Sequence, residues 1–205
     1  MKLKVCGLSN PVEVQTCVDN DVNFCGFILN YPKSHRFISY EKAKNLLSIK
    51  KNDVKYVGVL VKPSLKELEK FSELNLDYFQ LYGQYDSESL INIKNKFKKK
   101  IIITIQVKNN SDTGAYKKVE DGSDIILWDS TGYEKSLSWN YNWIKNIKIK
   151  GEKMIAGNIT KDKLSNLSKV ADIVDVSGAL ETNKVKDINK IKEFIKHIKI
   201  INNEN

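Results

Sequence analysis

Short apolar runs rich in β-branched residues alternate along this chain with longer stretches whose apolar positions recur at helical spacing, and the unit repeats roughly every twenty-five residues. The runs predict strands at Lys2 to Cys6, Phe24 to Leu29, Tyr56 to Val61, Tyr78 to Leu81, Ile101 to Ile105, Ile125 to Asp129, Lys153 to Ala156 and Ile173 to Ser177. Helices are predicted over Pro11 to Asp19, Tyr40 to Leu47, Leu65 to Leu74, Glu88 to Phe97, Asp112 to Val119, Trp139 to Ile147, Lys161 to Val170 and Ile188 to Ile198. Asn10-Pro11, Ser39, Pro63-Ser64, Ser138 and Thr160 stand where a helix start needs a side-chain acceptor or a preset φ. The fifth unit is the weakest, because Gln106 to Asp124 is polar and carries little helical periodicity.

Strands that alternate with helices imply a parallel sheet buried on both faces. Eight of them imply closure into a (β/α)₈ barrel, an α/β TIM-barrel fold. A chain of 205 residues with 41% apolar content suits one domain with a large core, so residues 1–205 are expected to form a single barrel domain with the last few residues as a frayed tail. No run of about eighteen apolar residues appears, and Met1 to Gly7 is too short and too polar for a signal peptide. A soluble, cytoplasmic protein with no membrane contact is the expectation. Cys6, Cys17 and Cys25 are odd in number, lack a Cys-x-x-Cys spacing and have only His35 and His197 beside them, so neither a disulfide framework nor a metal site is expected.

In such a barrel the chemistry sits at the C-terminal ends of the strands. Few ionisable groups fall there: Cys6, Arg36, Lys62 and Asp129. Arg36 is the one arginine among 34 cationic residues. A chain that writes every other cation as lysine keeps arginine where a planar fork must grip a carboxylate or phosphate. The net charge of +9 raises a nucleic-acid-binding module as an alternative from another class. The lysines, however, are spread along the whole chain among Asp, Glu and Asn, with no basic stripe interleaved with stacking aromatics. Steering of a small anion suits that distribution better. Glycines follow the first, fourth, sixth, seventh and eighth strands, and those after the last two are where barrels cradle a phosphate with backbone N–H groups. A phosphorylated small-molecule substrate follows.

Val5-Cys6-Gly7-Leu8, Cys25 to Phe27, Ser34 to Arg36, Val57-Gly58-Val59, Gln80 to Gly83, Asp129, Ala156-Gly157 and Val174 to Glu181 with Val185-Lys186-Asp187 together resemble the phosphoribosylanthranilate isomerases of tryptophan biosynthesis. The match runs in order through nearly the whole chain. The resemblance implies a single-domain barrel, monomeric or homodimeric, that needs no cofactor. It implies an isomerase that carries out the Amadori rearrangement of N-(5′-phosphoribosyl)anthranilate to 1-(2-carboxyphenylamino)-1-deoxyribulose 5-phosphate. Asp129 would be the general acid, Cys6 the general base, and Arg36 the holder of the substrate carboxylate. Gly157, Asn158, Ser177 and Gly178 would bind the phosphate, and Gly7, Gln80 and Gly132 would touch the substrate elsewhere. Another phosphosugar barrel, such as indole-glycerol-phosphate synthase, would bring an N-terminal extension and catalytic lysines on early strands. The chain departs from the family pattern at Tyr82, where a histidine is usual, at Asn158 and Lys184, where glycine is usual, and in a short loop after Asp129. Asn tolerates a left-handed backbone best after Gly, so Asn158 can keep the same N–H geometry.

Ordinary thiols titrate near ~8.5 and carboxyls near ~3.9, so both groups must move toward neutrality to exchange protons. A dry barrel mouth would raise the carboxyl, and a cation would lower the thiol. Alternate strand residues share a face, which puts Lys4 beneath Cys6 and Asp175 beneath Ser177. A Lys4–Asp175 pair below the catalytic layer is the prediction. Cys17, Cys25, Trp128, Trp143 and His197 read as core or surface residues, and His35 as a residue of the rim.

Overall fold

The structure is a computed structural model and describes residues 1–130 and 137–204. The eight strands are β1 (Lys2–Cys6), β2 (Phe24–Ile28), β3 (Lys55–Val61), β4 (Tyr78–Tyr82), β5 (Lys100–Val107), β6 (Ile125–Ser130), β7 (Glu152–Ile155) and β8 (Ile173–Val176). Each pairs in parallel with the next, and β8 pairs with β1 to close the barrel. The predicted strands and their order are all present, with ends that shift by one or two residues.

Helices α1 (Pro11–Asp19), α2 (Tyr40–Leu47), α3 (Leu65–Ser72) and α4 (Ser87–Phe97) cover the first half of the barrel. Their starts are locally encoded. Asn10 and Ser64 form capping boxes with Glu13 and Glu67, Ser39 accepts from the Lys42 N–H, and Asp86 caps α4. The second half departs from the periodicity. Residues Asn110–Lys118 and Glu120–Gly122 form 3₁₀ turns instead of a helix, because Asn109 and Asp112 bond the local backbone and only Thr113 in the first turn is buried. The helix expected from Trp139 to Ile147 is a 3₁₀ turn at Tyr141–Ile144. Trp139 and Tyr141 donate to the Ala156 and Gly157 carbonyls, which ties the segment to the exit of β7 rather than to its own turns. Asn140, not Ser138, caps it. The seventh unit has a 3₁₀ turn at Lys161–Lys163 and one turn of α5 (Leu164–Leu167), with no side-chain cap from Thr160. The last helix, α6 (Ile188–Glu204), runs past the Ile198 limit of its apolar pattern. Asn202 bonds both the amino group and the carbonyl of Met1.

Strand alternation sorts the residues into two cores. Outward side chains such as Phe27, Tyr56, Leu60, Phe79 and Trp128 pack under the helices. Inward ones (Phe24, Val57, Tyr78, Ile102, Ile125, Leu127, Met154 and Ile173) plug the barrel floor. Above this plug lies a polar layer. The β1–β8 register sets Lys4 opposite Asp175, and the Lys4 Nζ donates to Asp175 Oδ2 at 2.9 Å with both side chains almost wholly buried. The predicted pair is therefore present. Burial works against the Lys4 charge, but Asp175 and Cys6 outweigh it and its pKa lies above the ordinary value. Breaking such a pair strands a buried charge, which costs about 3–5 kcal/mol. Lys4→Met should lose about that much stability in urea unfolding, and adding Asp175→Leu should recover most of it, because an apolar pair of like volume removes the stranded charge.

Candidate active site

The C-terminal strand ends surround a cavity of about 360 Å³ lined by Cys6, Arg36, Tyr82, Asp129, Gly157, Asn158, Ser177 and Gly178 among others. Asp129 ends the inward row of β6 and is fixed by two donors. Its Oδ1 accepts the Ser130 N–H at 2.7 Å and its Oδ2 accepts the Tyr82 hydroxyl at 2.9 Å. Burial raises its pKa to about 6, with the Tyr82 bond opposing and the Asp175 charge adding. The expected upward shift of the carboxyl is present.

Cys6 ends the inward row of β1, directly above Lys4. Gly26 of β2 makes room for both: a β-carbon there would lie 3.0 Å from Cys6 Sγ and 3.1 Å from Lys4 Nζ. The Ser177 hydroxyl donates to the Cys6 carbonyl at 2.9 Å. The expectation that Lys4 lowers the thiol is corrected in its net sign. Burial pushes the thiol pKa up, Lys4 and Lys186 pull it down, and burial wins. Cys17 and Cys25 are buried between α1 and β2, away from the cavity.

Arg36 reaches the cavity from the loop after β2, and its fork already holds a carboxylate. Its Nε and Nη2 donate to the two oxygens of Glu181, at 2.5 and 2.9 Å. His35 sits on the same carboxylate at 3.1 Å, and Lys186 Nζ donates to it as well. Glu181 and Lys186 face each other in a two-stranded ribbon, β9 (Glu181–Thr182) and β10 (Val185–Lys186). Its turn residues Asn183 and Lys184 both have positive φ, which explains why glycine suits position 184. Burial opposes the Glu181 charge, but the Arg36 and Lys186 bonds dominate and take its pKa down to about 2. Lys186 is buried more deeply, and desolvation together with the Arg36 charge outweighs what Glu181 returns, so it falls below its ordinary value. Glu181 and Lys186 were missed as site residues. The available signal was two opposite charges flanking a short turn.

After β7, Gly157 (φ +102°) and Asn158 (φ 46°) take left-handed backbone, so Asn158 adopts the conformation that favours a glycine. A β-carbon on Gly157 would lie 2.7 Å from the Leu137 carbonyl oxygen. Ser177 and Gly178 enter a 3₁₀ turn at Gly178–Leu180, whose first N–H groups have no acceptor within the turn. Two of the residues expected to touch substrate lie elsewhere. Gly7 packs against the Arg36 stem, where a β-carbon would meet Cδ at 2.4 Å, and Gln80 is buried one layer beneath the cavity, behind Tyr82. Gly132 lies outside the described residues. Among the described residues no cluster of His, Cys, Asp and Glu could hold a metal ion, and no helix is long and apolar enough to cross a membrane.

The family model for N-(5′-phosphoribosyl)anthranilate (PRA) isomerase matches residues 3–197. The chain belongs to that isomerase family. Over 203 residues it is 34% identical to the N-(5′-phosphoribosyl)anthranilate isomerase of Streptococcus gordonii, covering 97% of each chain. Its fold is similar to a crystal structure of monomers generated from the dimeric isomerase of Thermotoga maritima, with TM-score 0.83, 26% identity, and 97% and 98% of the two chains covered. It is also similar, with TM-score 0.77, 25% identity and the same coverage, to an isomerase in complex with reduced 1-(o-carboxyphenylamino)-1-deoxyribulose 5-phosphate.

The low pKa of Glu181 makes the rim of this isomerase acid-sensitive. The folded state holds the carboxylate at about 2, below an unfolded value near ~4.3, so its stabilising contribution is complete above that value and is lost as pH falls. Between about pH 5 and 2, Glu181→Gln should lose less stability than the wild type, read from urea midpoints at each pH. Equal slopes would show that the rim pairs add nothing.

Proposed function

We propose that this isomerase performs its Amadori rearrangement on N-(5′-phosphoribosyl)anthranilate with Asp129 as general acid and Cys6 as general base. What supports this most is the meeting of the two groups at the ends of β6 and β1 in a single cavity that Arg36, Gly157, Asn158 and Gly178 also line. Asp129 gives a proton to the furanose ring oxygen, and the ring opens to a Schiff base. The Cys6 thiolate then takes the proton from carbon two of the sugar, leaving an enolamine that tautomerises to the ketone. The phosphate lies against Gly157, Asn158, Ser177 and Gly178, where backbone dipoles meet its charge. Arg36 meets the anthranilate carboxylate with the edge that Glu181 leaves open, its Nη1, which bonds no described residue.

The two pKa shifts fix the protonation states. At neutral pH a carboxyl at about 6 is mostly ionised and a thiol raised above its ordinary value is mostly neutral. The reactive arrangement, with the proton on Asp129 and the charge on Cys6, is the minority form. Its share is constant between the two pKa values, because gaining it needs one proton transfer and no net uptake. Below the Asp129 value both groups are protonated, and above the thiol value both are ionised.

The first test is decay of the fluorescence of freshly made phosphoribosylanthranilate. The wild type should accelerate it, and Cys6→Ser and Asp129→Asn should each lose about 10²-fold or more; no acceleration by the wild type would point to a different phosphosugar. The kcat/KM profile should rise to a plateau near pH 6, with that inflection missing in Asp129→Asn. Arg36→Lys should lower kcat/KM about tenfold or more, as expected for a lost planar contact, and an unchanged value would remove the carboxylate assignment.

A further inference from the structure

Tyr82 ends the inward row of β4, with Gln80 one inward position below it, and its ring forms part of the cavity wall. Its hydroxyl donates to Asp129 Oδ2 at 2.9 Å and accepts from Gln80 Nε2 at 3.3 Å. Gln80 is fully buried and, among the described residues, has no other side-chain hydrogen bond, its Oε1 being without a partner there. A buried amide that leaves an acceptor unsatisfied carries a cost. Here its one bond goes to the group that holds the acid. Burial and the Asp129 charge keep the phenol protonated, so it stays a donor.

We propose that the Tyr82 hydroxyl, backed by the Gln80 amide, is the positioning group for the acid: it orients Asp129 and receives the negative charge that forms on Oδ2 as the proton leaves for the sugar. This rests on the reading of Asp129 as general acid. The Ser130 N–H holds Oδ1, so the carboxylate formed in the acid step meets two donors already aimed at it, with no reorganisation needed. The Gln80 N–H on the phenol oxygen polarises the hydroxyl and strengthens its bond to the carboxylate. A hydroxyl in this place stabilises the ionised acid more than the protonated one, and so makes Asp129 the stronger acid. It acts through Asp129 and touches no reacting bond.

Tyr82→Phe keeps the ring and removes the donor. A hydrogen bond to a charged group carries the free energy of about one to two pKa units, so the Asp129 titration should move up by about that much. Two readouts separate the possibilities: carbon-13 NMR titration of the Asp129 carboxyl in the free protein, and the acid-side inflection of kcat/KM. Both should move upward together in Tyr82→Phe, and both should move the same way by less in Gln80→Met. In an Asp129→Asn background, Tyr82→Phe should change the residual rate by less than about threefold, because a residue acting through the acid has nothing left to act on. A carboxyl titration that stays put in a folded Tyr82→Phe protein would overturn the proposal and leave Asp129 as the acid. A carboxyl that moves while the kinetic inflection stays would remove Asp129 as the acid and the role of Tyr82 with it.

Discussion

The register in which β8 closes on β1 sets Lys4 against Asp175, and this buried ion pair divides the barrel interior. Below it the inward side chains form an apolar plug; above it they line a cavity. An apolar pair could fill the same height at no net cost in stability. What it would not supply is a cation beneath Cys6. Of the groups acting on that thiol, Lys4 is the strongest that favours the thiolate. Asp175 has the opposite effect on both groups proposed for proton transfer, since its charge raises the thiol and the Asp129 carboxyl alike. The pair thus places opposing potentials under the site, and the side facing Cys6 is the positive one.

Burial displaces the proposed acid and the proposed base in the same direction, with different consequences for the proposed reaction. For Asp129 the upward shift makes a protonated carboxyl accessible near neutrality; for Cys6 it disfavours the thiolate that the reaction uses. Forming the reactive arrangement moves one negative charge from β6 to β1, toward Lys4 and Lys186 and away from the Tyr82 hydroxyl. Cations beneath the thiol and a donor on the carboxyl therefore pull against each other across the cavity. In the proposed mechanism the balance between them sets the share of the reactive arrangement.

Strand positions were legible because a strand buried on both faces writes itself as a continuous apolar run, and the eight runs here are separated by polar turns. The pairing of Lys4 with Asp175 was legible for a related reason: strict alternation along β1 and β8 leaves those charges nowhere to go but inward. The helical layer of the second half was not. In the fifth unit the missing helical periodicity was the only trace of Asn109 and Asp112 bonding the local backbone, while the bonds of Trp139 and Tyr141 to the carbonyls just after β7 are tertiary choices that periodicity does not record. At the site, Cys6, Asp129, Arg36 and Asn158 could be placed from strand ends, whereas Glu181 could not. Its neighbour Arg36 lies 145 positions away, and only closure of the barrel brings them together. Tyr82 was visible as a departure from the family, but its bond to Asp129 spans 47 positions and reaches across the one strand, β5, that lies between β4 and β6.

The engaged state of Arg36 changes what its fork can recognise. A free guanidinium offers either planar edge to a carboxylate, and selectivity then rests on the ligand's shape alone. Glu181 takes the Nε edge, and Lys186 and His35 hold Glu181 in turn, so the guanidinium plane is fixed before a ligand arrives. Fixing it removes part of the rotamer entropy that binding would otherwise cost. Two permanent cations against one carboxylate leave the cluster with an excess of one positive charge, which a single ligand carboxylate neutralises. Gly157 and Asn158, both in left-handed backbone, and the start of the turn at Gly178 line another stretch of the cavity wall. In the proposed reading backbone dipoles there meet a phosphate, with Lys186 Nζ, 3.3 Å from the Ser177 Oγ, as the nearby cation. On that reading a fixed guanidinium edge meets the planar acid and backbone dipoles beside a buried ammonium meet the tetrahedral one, and this difference would set which way round a substrate carrying both lies.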